Sequence, residues 1–286
     1  MELDREKQRQ QIEKFIKRMP SLSTTVGKVL EICSRTDASP NELNKVISLD
    51  PVLTGQVLKL INSAYYSLLN KITSLTRAIT MLGMNTVKNM ALSTAIIKTM
   101  SGAKKSKSLP TARFWQHSIG VGVSAKLLAI ACDMPIAERE EMFIAGLLHD
   151  LGKIPFGDEY IEVLNQAKKE QRPLIEVERE MMGIDHQEVG MMIAEKWKLN
   201  PVISSCVCGH HDVEGVDEEA RKKVAFVSLA NKYINILDIG YSGDPFPYAD
   251  DIEDLLDIVG LNWQAYGAID EDVEKEIEKA QIFLQI

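Results

Sequence analysis

The sequence predicts an all-α protein, an N-terminal helical bundle packed on a second helical core. Three observations point there. Apolar residues recur at spacings of three and four along most of the chain, the period of one helix face. Helix-start signals punctuate the pattern: Ser39-Pro40-Asn41-Glu42, Asp50-Pro51 and Asp185-His186-Gln187-Glu188 each put a capping side chain ahead of a first turn that carries Pro or Glu. No stretch alternates apolar and polar residues as a half-buried strand does.

The first expected helix spans 4–18, with Ile12, Phe15, Ile16 and Met19 on one stripe and Pro20 ending it. The second, at about 23–35, carries Val26, Val29, Leu30 and Cys33. The Ser39 cap opens a third through Leu43, Val46 and Ile47, and Asp50-Pro51 opens a fourth with Leu53, Val57, Leu58 and Ile61. Asn62-Ser63-Ala64 interrupts it, and Tyr65-Tyr66 reads either as packed aromatics at a helix junction or as part of a partner surface. Helices at 74–82 and 84–100 complete a first half whose short connections imply antiparallel neighbours.

Residues 101–110, SGAKKSKSLP, are the clearest change in composition and read as a link between two halves. Their Lys104, Lys105 and Lys107 read as a solvated charge run. Beyond them, helices are expected at 111–131, 135–150, 158–171, 174–182, 185–198, from Pro201 towards His210-His211, and at 218–239. Asp244-Pro245-Phe246-Pro247 is a loop, and 250–258 and 270–284 look like polar surface helices. This divides the chain into 1–109, 110–240 and 241–286.

Net charge of −8 argues against general nucleic-acid binding, which needs a basic footprint. No apolar run is long enough to cross a membrane, and the polar start MELDREKQRQQIEKF is not a secretory signal, so a cytoplasmic location is expected. Four scattered cysteines do not make a disulfide framework.

The chain is organised around AGLLHDLGK, residues 145–153. His149 and Asp150 stand side by side at the end of an apolar helical turn, before Gly152 and Pro155 break the helix. An imidazole beside a carboxylate suits a divalent cation, because neither alone both neutralises and orients it. All five histidines, His117, His149, His186, His210 and His211, fall in or at the ends of expected helices of the second half. With Asp150 they offer six nitrogen and oxygen ligands, more than one tetrahedral zinc needs. The set suits iron, manganese or zinc, singly or as a pair. A local zinc knot at Cys206-Val207-Cys208-Gly209-His210-His211 is a weaker reading, since Cys208 leaves the helix face that Cys206 and His210 share. Those cysteines read as structural, and Met181-Met182 and Met191-Met192 as core filler.

GLLHDLGK with His117 upstream, DHQEVG with His186 and the later GHH resemble the HD superfamily of metal-dependent phosphohydrolases. LDPVLTGQVLKLINSAYY and ITSLTRAITMLGMNTVKNMAL narrow the resemblance to the HDOD family, the HD-related output domain of bacterial signalling proteins, over about 15–240. The resemblance implies that His117, His149 and Asp150 are metal ligands, and that His186, His210 and His211 match the extra histidines of the related HD-GYP phosphodiesterases. It also implies that Lys153 would contact substrate phosphate if the protein is an enzyme. Two departures stand out: Asn231 sits where the superfamily has its last ligand Asp, and no GYP follows His210-His211. The resemblance therefore implies an output or adaptor module that binds signalling proteins through its first half and carries a divalent-metal site. The alternative is a metal-dependent phosphodiesterase with a nucleotide or cyclic dinucleotide ligand. A di-iron oxygenase on a related scaffold has compatible ligand types.

Overall fold

The capping signals start helices where the sequence puts them. The Ser39 hydroxyl accepts from the Glu42 amide while the Glu42 carboxylate accepts from the Ser39 amide, a reciprocal capping box. The Asp50 and Asp185 carboxylates accept from the Leu53 amide at 3.0 Å and the Glu188 amide at 2.9 Å. The computed structural model describes residues 2–35, 37–101, 107–244 and 251–285, and among them no strand occurs. The helices of the first half are α1 (Glu2–Arg18), α2 (Thr24–Ser34), α3 (Pro40–Ser48), α4 (Pro51–Ile61), α5 (Leu75–Leu82) and α6 (Met84–Ser101). There follow α7 (Thr111–Ala131), α8 (Ile136–Leu148), α9 (Tyr160–Glu170), α10 (Leu174–Met182), α11 (His186–Trp197), α12 (Pro201–Gly209) and α13 (Glu218–Ile236). The chain continues through α14 (Ile252–Val259), α15 (Trp263–Gly267) and α16 (Asp270–Ala280). The fold is all-α. None of the described helices is long and apolar enough to cross a membrane. Of the lysine run, Lys104 and Lys105 lie outside the described residues, as do Pro245, Phe246 and Pro247 of the expected loop.

The centre of the second half is the crossing of α7 and α8. A Cβ on Gly122 would lie 2.6 Å from the Phe143 carbonyl, and one on Gly146 would lie 2.8 Å from Gly122 Cα. Backbone meets backbone there, which only glycine permits. This brings His117 of α7 and His149, just beyond α8, to ring centroids 5.5 Å apart.

The joint between the two halves is built from the NSAYY stretch. The Asn62 side chain donates to the Ile72 carbonyl and accepts from the Ile72 amide, both at 2.7 Å, doing for the loop what backbone pairing would do. Tyr65 is buried and packs against Tyr66, Phe143 and Phe283. Lys126 lies over the Tyr65 ring at 4.5 Å and pairs with Glu140 at 2.7 Å, while the Tyr66 hydroxyl donates to Glu140. Tyr65 and Tyr66 thus form a packed junction.

Two expectations are corrected. The helix expected to run to 150 stops at Leu148, because Gly152 and Pro155 redirect the chain into a 3-10 segment, Leu151–Glu159. The C-terminal helices are not polar surface helices. α14 buries Ile252, Leu255, Leu256 and Val259, and α16 buries Val273, Ile277 and Ala280, each along one face. A short helix, α15, stands between them, capped by Asn262. All four cysteines are free, and Trp197 is buried with its indole donating to the Pro20 carbonyl.

The α7–α8 crossing predicts a cost for bulk. Gly122→Val should lower unfolding stability by about 2 kcal/mol or more, since the Phe143 backbone has to retreat. The urea midpoint measures it, and an unchanged midpoint would mean the crossing is not tight.

Candidate metal centre

Four loci deliver the six side chains to one buried place. α7 supplies His117, the turn after α8 supplies His149 and Asp150, and the start of α11 supplies His186. The turn after α12 supplies His210 and His211. Gly152 sets the approach of the second locus to the third. A Cβ there would lie 1.8 Å from the His186 carbonyl and 2.6 Å from the Gly190 amide, so the 3-10 segment rests directly on the α11 backbone.

Asp150 stands between two sets. Its Oδ2 faces His149 Nε2 at 3.3 Å and His117 Nε2 at 3.9 Å. Its Oδ1 lies 3.6 Å from the Nε2 atoms of both His186 and His210. The ligand-capable atoms form two groups, His117–His149–Asp150 and His186–His210–His211, each within 4.8 Å. All six residues are buried except His211, which is half-buried.

Three of the imidazoles are fixed from behind. His149 Nδ1 contacts the Gly146 carbonyl at 2.7 Å, and His210 Nδ1 contacts the Cys206 carbonyl at 3.1 Å. Each Nδ1 therefore carries the proton, and each Nε2 presents a lone pair inward. His186 Nδ1 is bonded at 2.6 Å to Glu178, whose carboxylate also accepts from the His186 amide at 2.9 Å and from the Tyr160 hydroxyl. A carboxylate behind an imidazole locks its orientation. Gln187 accepts from the His211 amide at 2.8 Å and so positions the last histidine. Glu178, Tyr160 and Gln187 were not among the residues expected from sequence. The signal for Glu178 was available: it is a charged residue one turn from both Leu174 and Met182 on the buried face of α10.

Burial, helped by neighbouring imidazoles, pushes His117 and His210 down to about 3, and His211 well below the usual histidine range. These rings are neutral near pH 7, the form that binds metal. For Asp150, burial pulls the carboxyl up, but His149 and Lys153 beside it hold it well below the carboxylate range.

Lys153 is buried, and its Nζ donates to Asp150 Oδ2 at 2.8 Å and to the Ser242 carbonyl at 3.1 Å. The Ser242 hydroxyl donates to Asn235 Oδ1 at 2.9 Å, and the Asn235 amide donates to Asn231 Oδ1 at 3.0 Å. Asn231 thus neighbours His117, favouring its protonated form, although neither His117 nitrogen makes a hydrogen bond of ordinary geometry. A cavity of about 230 Å³ opens beside His210, His211 and Asn231. Its cations are ion-paired: Arg179 with Asp185 at 2.6 Å, Lys232 with Asp251 at 2.8 Å.

The residues fit a metal. Both nitrogens of His117, Nε2 of His149 and His211, and Oδ1 of Asp150 are buried without a hydrogen-bond partner. An unsatisfied buried polar atom costs about 1–3 kcal/mol, and an ion held by either of the two groups would satisfy several of them.

A family model, the HDOD domain, matches residues 19–213. The chain belongs to the HDOD family. An HDOD domain protein of unknown function from Geobacter sulfurreducens has the same fold: 24% identity, 98% of this chain and 99% of that one covered, TM-score 0.78. A candidate phosphohydrolase from Shewanella amazonensis shares it at 20% identity, with 96% and 98% covered and a TM-score of 0.72. An uncharacterized protein of Treponema pallidum is 24% identical over 225 residues, 77% of this HDOD chain and 43% of its own. A ribonuclease Y of Lachnoclostridium phytofermentans is 34% identical over 102 residues, 35% of this chain and 14% of its own. The chain spans less than half the length of these curated relatives.

Glu178→Ala should destabilise the HDOD chain by about 3 kcal/mol, since it leaves the Tyr160 hydroxyl and two His186 donors without an acceptor. Chemical denaturation gives the value. A loss under about 1 kcal/mol would mean that the carboxylate does not hold His186.

Proposed function

We propose that the chain is an output or adaptor module of bacterial signalling, working in the cytoplasm by binding a partner protein, and that its second half holds a divalent metal. The observation that carries the metal reading is the convergence of unpartnered buried nitrogens on both sides of Asp150. His117, His149, Asp150, His186, His210 and His211 would supply the ligands, to iron, manganese or zinc. When bound, such an ion supplies concentrated positive charge that neutralises Asp150 and cross-links the helix ends around it.

The module reading is supported by what the site's charged groups do. Lys153, the residue that would contact a substrate phosphate in an enzyme, is buried and committed to Asp150 and the Ser242 carbonyl. Asn231 brings no charge, and the two cations at the cavity are paired with acids. An incoming phosphate would find no uncommitted cation among these groups. Partner binding through the first half is supported by Leu49, Val52, Leu69 and Met81, large apolar side chains that it leaves exposed.

The second reading, a metal-dependent phosphohydrolase or phosphodiesterase acting on a nucleotide or cyclic dinucleotide, is favoured by one observation. The cavity reaches His210 and His211, so a small ligand can approach the centre from that side.

Elemental analysis of the protein purified without added metal, beside the His149→Ala/Asp150→Ala double variant, tests the proposal. Stoichiometric iron, manganese or zinc is expected in the wild type and not in the variant, with no hydrolysis of cyclic dinucleotides or nucleotides by either. Equal metal content in both, or none in either after reconstitution, overturns the metal site. Hydrolysis that the double variant abolishes overturns the module reading in favour of the enzyme.

A further inference from the structure

We propose that the loop before α5 and the outer face of that helix form a docking surface for an acidic segment of a partner protein. This rests on the module reading above and names the chemistry of the partner.

Charge is divided unevenly along the chain. Of the 286 residues 41 are Asp or Glu, yet none falls between Pro51 and Cys132, a span with ten Lys or Arg. The span does not lack exposed positions. Ser67, Asn70, Thr73, Thr76 and Thr80 all face solvent, and every one is neutral. A protein of net charge −8 thus carries one long stretch from which acids are absent. Its cations act on an approaching anionic group over about a Debye length, roughly 10 Å at 0.1 M salt.

The local structure sets these cations beside exposed apolar side chains. Helix α5 buries Leu75, Ala78 and Ile79, which leaves Arg77 and Met81, one turn apart, exposed on its outer face. The loop ahead of it presents Leu69, fully exposed, and Lys71. That loop is held in place, because the Asn62 side chain bonds both backbone groups of Ile72 at 2.7 Å. A surface fixed in advance loses less entropy when a partner binds. Helix α5 packs on α3 and α4, whose junction exposes Leu49 and Val52.

Neither Lys71 nor Arg77 forms an ion pair among the described residues, whereas Lys126 of the same span pairs with Glu140. The acids that precede the span are committed elsewhere. The Asp50 carboxylate caps α4, and Glu42 accepts from the Ser39 amide and faces Arg35 at 3.5 Å.

An occupant has to satisfy both features at once: cations without a counter-charge and aliphatic side chains standing in water. A protein segment that carries acids beside aliphatic residues does so, with an apolar centre and a charged rim. A polynucleotide meets only the first. Its bases stack on exposed aromatic rings, and here Tyr65, Tyr66, Phe114 and Trp115 are buried or half-buried. Leu69 and Met81 offer nothing to a phosphate.

Fluorescence anisotropy on the full-length chain tests this with three labelled peptides: one of Glu and Leu, one of Lys and Leu, and one of Glu and Ser. The Glu/Leu peptide is expected to bind more tightly than the other two, and less tightly as salt is raised. Lys71→Glu/Arg77→Glu should weaken it by about fivefold or more, and Leu69→Ser/Met81→Ser should weaken it as well. Lys168→Glu/Lys169→Glu, an equal charge reversal on the exposed end of α9, should leave it unchanged. All six positions are exposed, and circular dichroism confirms that each variant is folded. No binding of the Glu/Leu peptide overturns the inference. So does binding that the Lys71/Arg77 reversal leaves unchanged or that both reversals weaken equally. Tighter binding of a DNA oligonucleotide, or of phosphatidylcholine vesicles containing phosphatidylglycerol, overturns it by giving the surface another occupant. Each of these leaves the module reading standing, which hydrolysis abolished in the His149→Ala/Asp150→Ala variant would overturn by itself.

Discussion

Asp150 carries a negative charge at a position closed to solvent, and the second half of the protein is arranged to compensate it from every side. Burying an ion costs several kcal/mol even after the surroundings relax, so an acid in such a place survives only with dedicated partners. Here they come from separate segments: Lys153 from one turn downstream, His117 from α7, His186 from the start of α11 and His210 from the end of α12. Each partner arrives at a helix end or on a helix face that has to stay in register with the others. Lys153 is the charged partner among them, so the acid depends most on the turn that carries it, and a displaced ammonium would leave the carboxylate bare.

Such convergence needs backbones closer than ordinary side chains allow, and glycine supplies it at two places. Gly122 against Gly146 sets the α7–α8 crossing, and Gly152 against the His186 carbonyl sets the 3-10 segment on α11. Behind the ligands a second layer of hydrogen bonds holds ring orientation. The Tyr160–Glu178–His186 chain runs across α9, α10 and α11, and the Asn231–Asn235–Ser242–Lys153 chain ties α13 to the same point from the opposite side. The second chain ends on Asp150 Oδ2 through Lys153, and the first ends on His186, whose Nε2 lies 3.6 Å from Oδ1.

Local signals were legible in the sequence. The Ser39, Asp50 and Asp185 caps act within one turn, so spacing alone located those helix starts. The six candidate ligands were legible too, His149 and Asp150 as a pair and the rest as a set, because the chain has so few histidines and all lie in the second half. What supports them was not. Glu178 reaches His186 only through the packing of α10 on α11, and Lys153 turns to Asp150 because the chain leaves the helical path after Leu148. The C-terminal helices misled for a different reason. α16 is rich in charge on average, and its stripe of Val273, Ile277 and Ala280 disappears in that average.

The same arrangement links the centre to the first half. Helix α7 carries His117 and, further along, Lys126, which lies over Tyr65 and pairs with Glu140 of α8. Phe283 from the C-terminal end closes on Tyr65 and on Phe143, whose carbonyl would meet a Cβ on Gly122. The NSAYY joint is therefore seated on the two helices whose crossing brings His117 to His149. With Gly122 and Gly146 in backbone contact, α7 and α8 have no slack to slide independently, so a displacement at one end of the crossing has to be felt at the other. The packing at the centre and the seating of the first half thus rest on one and the same crossing.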